Sequence, residues 1–270
     1  MALTVLRVQA GASLQDGGRP GYRRFGVPPG GAFDLAALEW GNALLGNPPG
    51  AAALELLLFG GRFRAEEALR VAVVGAPCAV TVDGRQAPWG GPFDLGPGDE
   101  LEIGVAFEGL RTLLCVAGGF EADRTLGLVS GRAVGSGDTL RIGQARGEPA
   151  RAEPPPWDER LEVAVAPGPD VSLLPPGSLN GWFEVSPQSN RSGVRLMGGP
   201  PLALPELPSE PCDVGVVQAT PSGELVVIGP DGPTIGGYPK VARVPERELW
   251  KVAQLRPGEA LRLKPGEGWG

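Results

Sequence analysis

"GPGDELEIG" (residues 96–104), "GSGDTLRIG" (135–143) and "RPGEALRLK" (256–264) are three copies of one pattern. Each opens on a glycine-bearing turn, places an acid just after it, and runs into alternating residues that end in Leu-x-Ile or Leu-x-Leu. Glycine frees φ at the turn, and period-two alternation is the mark of a half-buried strand. The unit is a turn feeding a strand, and its recurrence in both halves of the chain predicts related β-barrel edges. Its spacing is irregular, so the chain is no solenoid. Between the copies the same grammar holds. "LRVAVVGAPCAVTVDGRQAP" (69–88) reads as two strands turned through Gly75-Ala76-Pro77, followed by a hairpin turn at Asp83-Gly84.

Composition agrees with this grammar. The 270 residues allow one large or two modest domains, and a hydrophobic fraction of 42% supports real cores. The 44 glycines and 30 prolines fall between regular apolar runs, a pattern that fits many short strands joined by tight turns better than disorder. A net charge of −7 argues against a nucleic-acid surface. Cys78, Cys115 and Cys212 are odd in number and widely spaced, which predicts reduced core thiols in a cytoplasmic protein. No run of eighteen apolar residues occurs, and the opening MALTVLRVQAG lacks a signal segment, so a soluble protein is expected.

Absences shorten the chemical menu. The chain has no histidine, which removes Ser-His-Asp, Cys-His and His-ligated metal chemistry, and no metal site is expected. It has no GxxxxGK[ST], GxGxxG or GxSxG, and only three lysines (Lys240, Lys251, Lys264) among 24 basic residues. What remains is carboxylates, Arg, Lys, Tyr, amides and backbone N–H groups.

Along the chain, a first strand is predicted over Leu3–Gln9, then a glycine-rich loop to Phe33. A helix starts at Asp34, a good N-cap, with Phe33 and Leu38 placed as a hydrophobic staple and Gly46 as its stop. Leu35, Leu38, Asn42 and Leu45 share one helical stripe, so Asn42 faces the core side, as a bonded core amide ahead of a ligand contact. In "AAALELLLFGG" (51–61) Glu55 points with Leu57 and Phe59; a carboxylate there is either paired with an Arg or part of a site. The charged, proline-rich "RGEPARAEPPPWDER" (146–160) is the linker, which divides a β-rich lobe with one helix (1–145) from a second β-rich lobe (161–270). A strand restarts in "LEVAVAPGPD", and a short helix falls near Glu246–Leu255.

Three polar, glycine-rich segments stand outside the strand rhythm: 13–34, "SPQSNRSGVRL" (186–196) and "GPDGPTIGGYPKVARV" (229–244). Shaped loops of this kind are elaborate turns or pieces of a site. In the third, Gly236-Gly237 lets backbone N–H groups approach a ligand beside Tyr238 and Lys240, which suits a carboxylate or phosphate.

"QDGGRPGYRRFGVPPGGAFD" resembles the signature VQDxGRxGYxxxGVPxSGAMD of the KipA family. That family is known as the C subunit of the bacterial ATP-dependent 5-oxoprolinase, as allophanate hydrolase subunit 2, and as a biotin-dependent carboxyltransferase domain. The match continues in order through "NALLGNPPGAAALEL", "VAGGF", "SNRSGVRL", "LPSEPCDVGVVQATPSGELVVI" and "TIGGYPKVARV". Departures exist: Gly30 or Gly31 stands for a Ser, Phe33 for a Met, Ser192 and Val194 for Met and Tyr, and Asp231–Ile235 lacks the family's Arg-Gln-Thr-Thr run.

The resemblance implies a mostly β, cyclophilin-like β-barrel architecture in two lobes with a few short helices. It implies Asp16, Arg19 and Lys240 as catalytic, with Lys240 in a charge role. Tyr22, Asp34, Asn190, Arg191, Gln218, Thr234, Gly236, Gly237 and Tyr238 are implied to bind substrate, while Asn42, Glu55 and Glu210 are structural or in the site. The bland reading of the first pair is that Asp16 and Arg19 brace the loop. The implied activity is opening of 5-oxoproline to glutamate, with ATP and Mg in the assembled complex, a KipI-type B subunit and an A subunit. This chain has no cofactor motif of its own and is expected to be inactive alone. The rival readings are a carboxyltransferase-like component of a biotin-dependent amide or urea carboxylase system, and a regulatory protein antagonising a kinase inhibitor.

Overall fold

In the computed structural model of the chain, which describes residues 1–157, 160–199, 202 and 204–266, the three turn units close with one shared set of hydrogen bonds. The acid accepts from the main-chain N–H three residues before it: Gly96 to Asp99 at 2.7 Å, Gly135 to Asp138 at 2.9 Å, and Arg256 to Glu259 at 2.8 Å. Gly98, Gly137 and Gly258 each precede the acid with φ of 89°, 94° and 83°, where an L side chain is strained. Their N–H groups donate to the carbonyls of Ala65, Val5 and Val185 on a neighbouring strand. Those same three residues return their N–H to the carbonyl of the acid. One local structure is thus used three times, each time docking a turn onto the strand beside it.

The chain divides into two compact units, Met1–Arg19 with Asp34–Pro155, and Pro20–Phe33 with Pro156–Gly270. Unit 1 holds β1 (Ala2–Val8), β2 (Ser13–Gln15), α1 (Leu35–Leu44), β3 (Ala53–Leu57), β4 (Gly61–Ala65), β5 (Leu69–Gly75) and β6 (Cys78–Val82). It continues with β7 (Arg85–Gln86), β8 (Pro92–Leu95), β9 (Glu100–Ala106), β10 (Arg111–Val116), β11 (Phe120–Glu121), β12 (Arg132–Ala133) and β13 (Thr139–Ile142). These form a seven-stranded sheet, β11-β13-β1-β4-β9-β6-β7, and a six-stranded sheet, β12-β2-β3-β10-β5-β8. Leu3, Phe63 and Leu101 from the first meet Leu14, Leu54, Val71 and Leu114 from the second in one buried cluster. Each such side chain contributes about 1.5–3 kcal/mol of apolar burial.

Helix α1 packs on β5 and β10. Gly41 makes that approach close: a Cβ there would lie 2.5 Å from Cys115 Sγ and 2.8 Å from Val74 Cγ2. Asp34 caps the helix by accepting the Ala37 N–H at 2.9 Å, and Gly46 ends it at φ 68°. Phe33, expected to staple this helix, belongs to the core of unit 2.

Unit 2 holds β14 (Glu162–Pro167), β15 (Trp182–Val185), β16 (Gly193–Met197), β17 (Glu210–Pro211), β18 (Val216–Ala219), β19 (Leu225–Ile228), β20 (Ile235–Gly236), β21 (Lys240–Arg243), α2 (Leu249–Ala253) and β22 (Ala260–Pro265). Seven of them close a barrel, β14-β21-β18-β19-β16-β15-β22, sealed by the parallel β14–β22 pair. Alternation sends Val217, Ala219, Leu225, Val227 and Leu196 into its core. Residues 20–33 join this unit for physical reasons. Phe33 is in the barrel core, Gly30 N–H donates to Pro230 O at 2.9 Å, and Arg191 donates to Gly31 O at 2.6 Å. The chain is mostly β throughout, and among the described residues no helix is long and apolar enough to cross a membrane.

Candidate functional site

The implied site residues fall in two groups. In unit 1 Asp16 is 6% exposed and accepts three hydrogen bonds: Gly18 N–H at 3.0 Å, Val129 N–H at 2.9 Å and Ser130 Oγ–H at 2.7 Å. That is the geometry of a loop brace. Arg19 donates to Thr125 O at 3.4 Å. Asp34 is the buried cap of α1. Asn42 donates to Pro49 O and Ala51 O, both at 2.9 Å, and accepts from Asn47, the pattern of a bonded core amide. Glu55, on β3, lies 3.7 Å from Arg111 Nε on β10, and both are buried.

The second group gathers in unit 2. The barrel strands carry one outward-facing row across four positions in register: Arg195 on β16, Val226 on β19, Gln218 on β18 and Lys240 on β21. Outward residues of a barrel are ordinarily wet, yet Gln218 and Lys240 are 4% and 5% exposed. The cover is the short β17–β20 ribbon. Lys240 Nζ meets Glu210 on β17 at 3.2 Å, and Gln218 Nε2 reaches Tyr238 O at 3.4 Å. The glycine pair permits this approach, since a Cβ on Gly236 would lie 2.6 Å from Gln218 Nε2 and one on Gly237 would lie 2.7 Å from Leu207 O. The absent side chain of Gly236 lets the ribbon close on Gln218, and that of Gly237 lets it close on the Leu207 carbonyl.

Over the outer face of β16, β18 and β19 lies a cavity of about 520 Å³ lined by amide and hydroxyl groups, including Asn190, Gln218, Thr220, Ser222 and Tyr238. A wider cleft of about 830 Å³ brings Arg23, Arg24, Thr234, Lys240 and Arg243 together with Cys212. Lys240 stands here on fixed backbone. Its N–H donates to Asp170 Oδ2 at 2.8 Å, its carbonyl accepts from Asp170 N–H at 3.1 Å, and Gly168 is pressed against that carbonyl. Burial pushes the Cys212 thiol up, while the Lys240 and Arg23 charges pull it back down. Arg191 sits apart as a fork, holding Asp231 at 2.6 and 3.2 Å as well as Gly31. Tyr22 is exposed beside Phe25, with ring centroids 6.4 Å apart.

Residues 25–265 match the family described as carboxyltransferase domain, subdomain A and B. The chain belongs to the carboxyltransferase-domain family. Among its relatives is the 5-oxoprolinase C subunit of Escherichia coli, 30% identical over 97% of this chain and 90% of that protein. Urea amidolyase of Saccharomyces cerevisiae is also 30% identical, over 98% of this chain but only 16% of that protein. The solved structure of TTHA0988 matches with a TM-score of 0.89 at 32% identity, over 97% of this chain and 55% of that one, so the chain spans about half of it.

For this member of the carboxyltransferase-domain family, sequence reading did not single out Arg23, Arg243, Cys212 or Asp213 as site residues. A signal for Arg23 existed: it sits in the Arg23-Arg24 pair inside the quoted loop. The signature leaves those positions open, and nothing local says which of three neighbouring arginines turns toward β21.

Proposed function

We propose that the chain is the C subunit of an ATP-dependent 5-oxoprolinase, which works with a KipI-type B subunit and an A subunit to open 5-oxoproline to glutamate in the cytoplasm. The observation that carries this reading is the match to the Escherichia coli C subunit, 30% identical along nearly its whole length. The chain accounts for 90% of the Escherichia coli C subunit but only 16% of the yeast urea amidolyase.

In the reaction, water adds across the lactam C–N bond. The ring carbonyl becomes a carboxylate, the ring nitrogen leaves as an amine, and ATP hydrolysis to ADP and phosphate drives the step. The helix terminus that could cradle a phosphate does not fit the nucleotide here. The longest helix among the described residues, α1, has its N-terminus occupied by the buried Asp34 carboxylate, which would repel a phosphate. In this proposal ATP belongs to one of the partner proteins, and no step is routed through it on this chain. What this chain offers is unit 2: a polar cavity suited to an amide, and a cationic cleft anchored by Lys240.

The second reading, a carboxyltransferase part of a biotin-dependent urea carboxylase, draws on the similarity to urea amidolyase. A coupled glutamate-release assay separates the readings. Glutamate should form from ATP and 5-oxoproline when the chain is combined with its partners, and not with the chain alone. Full turnover by the isolated chain, or none by the assembly, would contradict the proposal.

A further inference from the structure

The protein carries a net charge of −7, yet one cleft of unit 2 gathers four cations, Arg23, Arg24, Lys240 and Arg243. Asp213 is shared between two of them, 3.4 Å from Arg23 Nε and 3.5 Å from Arg243 Nη2. Arg23 also donates through Nη2 to Pro233 O at 3.3 Å. Its remaining nitrogen, Nη1, is buried and has no hydrogen-bond acceptor among the described residues. A buried charged donor without an acceptor is costly, and it is where an incoming oxygen gains most.

Lys240 faces the same cleft with its side chain 6% exposed, and its ammonium meets Glu210, which is 64% exposed. Glu210 lies on the two-residue strand β17, so the carboxylate on Lys240 comes from a short, solvent-facing ribbon. That is a displaceable partner. The Lys240 and Arg23 charges both act on the Cys212 sulfur, which places them around one point of the cleft. Pro167, Pro169 and Pro211 line the walls with Val216, Ile235 and Ala242. Prolines carry no N–H, so these three positions offer no main-chain donor of the kind that phosphate prefers.

We propose that this cleft binds a small organic monocarboxylate, with Arg23 and Lys240 holding its carboxylate, the prolines, Val216 and Ile235 against its apolar body, and Glu210 occupying the carboxylate position until ligand displaces it. Arg23 then becomes a binding residue. The assignment rests on the oxoprolinase reading only for 5-oxoproline as first probe.

Isothermal titration of the full chain, alone and with its partner proteins, tests the assignment. 5-Oxoproline should bind, and 2-pyrrolidinone, the same ring without the carboxylate, should not. Arg23→Gln should weaken binding about tenfold or more, the loss of one charge-assisted contact. Glu210→Gln should tighten it by removing the internal competitor, whereas a residue that helps hold the ligand would weaken it when changed. If 5-oxoproline fails but lactate or pyruvate binds with the same Arg23 dependence, the carboxylate site stands and the oxoprolinase reading falls. The proposal is overturned if no carboxylate binds either form of the protein, if inorganic phosphate binds in their place, or if a folded Arg23→Gln variant binds as wild type does.

Discussion

Replacing Asp16 by Ala separates bracing from chemistry. The Asp16 carboxylate accepts from Gly18 N–H, Val129 N–H and Ser130 Oγ–H, and the Asp16 N–H donates to Ser130 Oγ at 2.8 Å. Truncation strands three donors. Val129 is 3% exposed, so its N–H has little access to water, and leaving a buried donor unmade costs about 1–3 kcal/mol. Gly18 and Ser130 are half-buried and recover part of their loss by hydration. The sum is about 2–4 kcal/mol, which for a unit of this size lowers its melting temperature by roughly 5–15 °C. Asp16→Asn keeps one acceptor oxygen and should cost about half as much. Scanning calorimetry reads both variants, and Ser130→Ala combined with Asp16→Ala should cost less than the sum of the singles. A full-strength fold with glutamate formation abolished in the assembled enzyme would refute the brace and place Asp16 in the chemistry.

Cys115 is fully buried, and burial pushes its thiol from 9.0 up to about 12. Its contribution to stability is complete below pH 9 and is lost as pH rises toward 12, on the order of 1–2 kcal/mol by pH 10.5. Urea denaturation at pH 8 and 10.5 should show a fall that is smaller in Cys115→Ala; an equal fall in both would contradict it. For the Glu55–Arg111 pair, Arg111→Met leaves a carboxylate buried at 1% exposure and should cost about 3–5 kcal/mol. Adding Glu55→Leu should restore much of that in thermal unfolding, and a double variant weaker than the single would refute a pair held for mutual compensation.

Much of the fold was legible because its signals are local. The three turn units read in sequence close with the same acid-to-N–H bond, since a positive-φ glycine and an acid beside it suffice to build the turn. Asp34, Gly46 and the Asp83-Gly84 turn followed for the same reason. The assignment of residues 20–33 to the second unit was not legible. It depends on Phe33 entering a distant core and on the Arg191 fork to Gly31 and Asp231, contacts that reach across some 160 positions with no local mark. Lys240 and Tyr238 stood out by composition. That Gly236 serves close approach to Gln218, and that Arg23 lines the cleft with Lys240, requires the barrel register and the covering ribbon.

The most direct test of the account is glutamate formation by the assembled enzyme, from ATP and 5-oxoproline, with and without avidin and added bicarbonate. A lactam hydrolase needs neither biotin nor bicarbonate, so the rate should be unchanged by avidin and by bicarbonate removal. Activity that appears only with bicarbonate and a biotin carrier, that avidin abolishes, and that consumes urea while leaving 5-oxoproline untouched would contradict it.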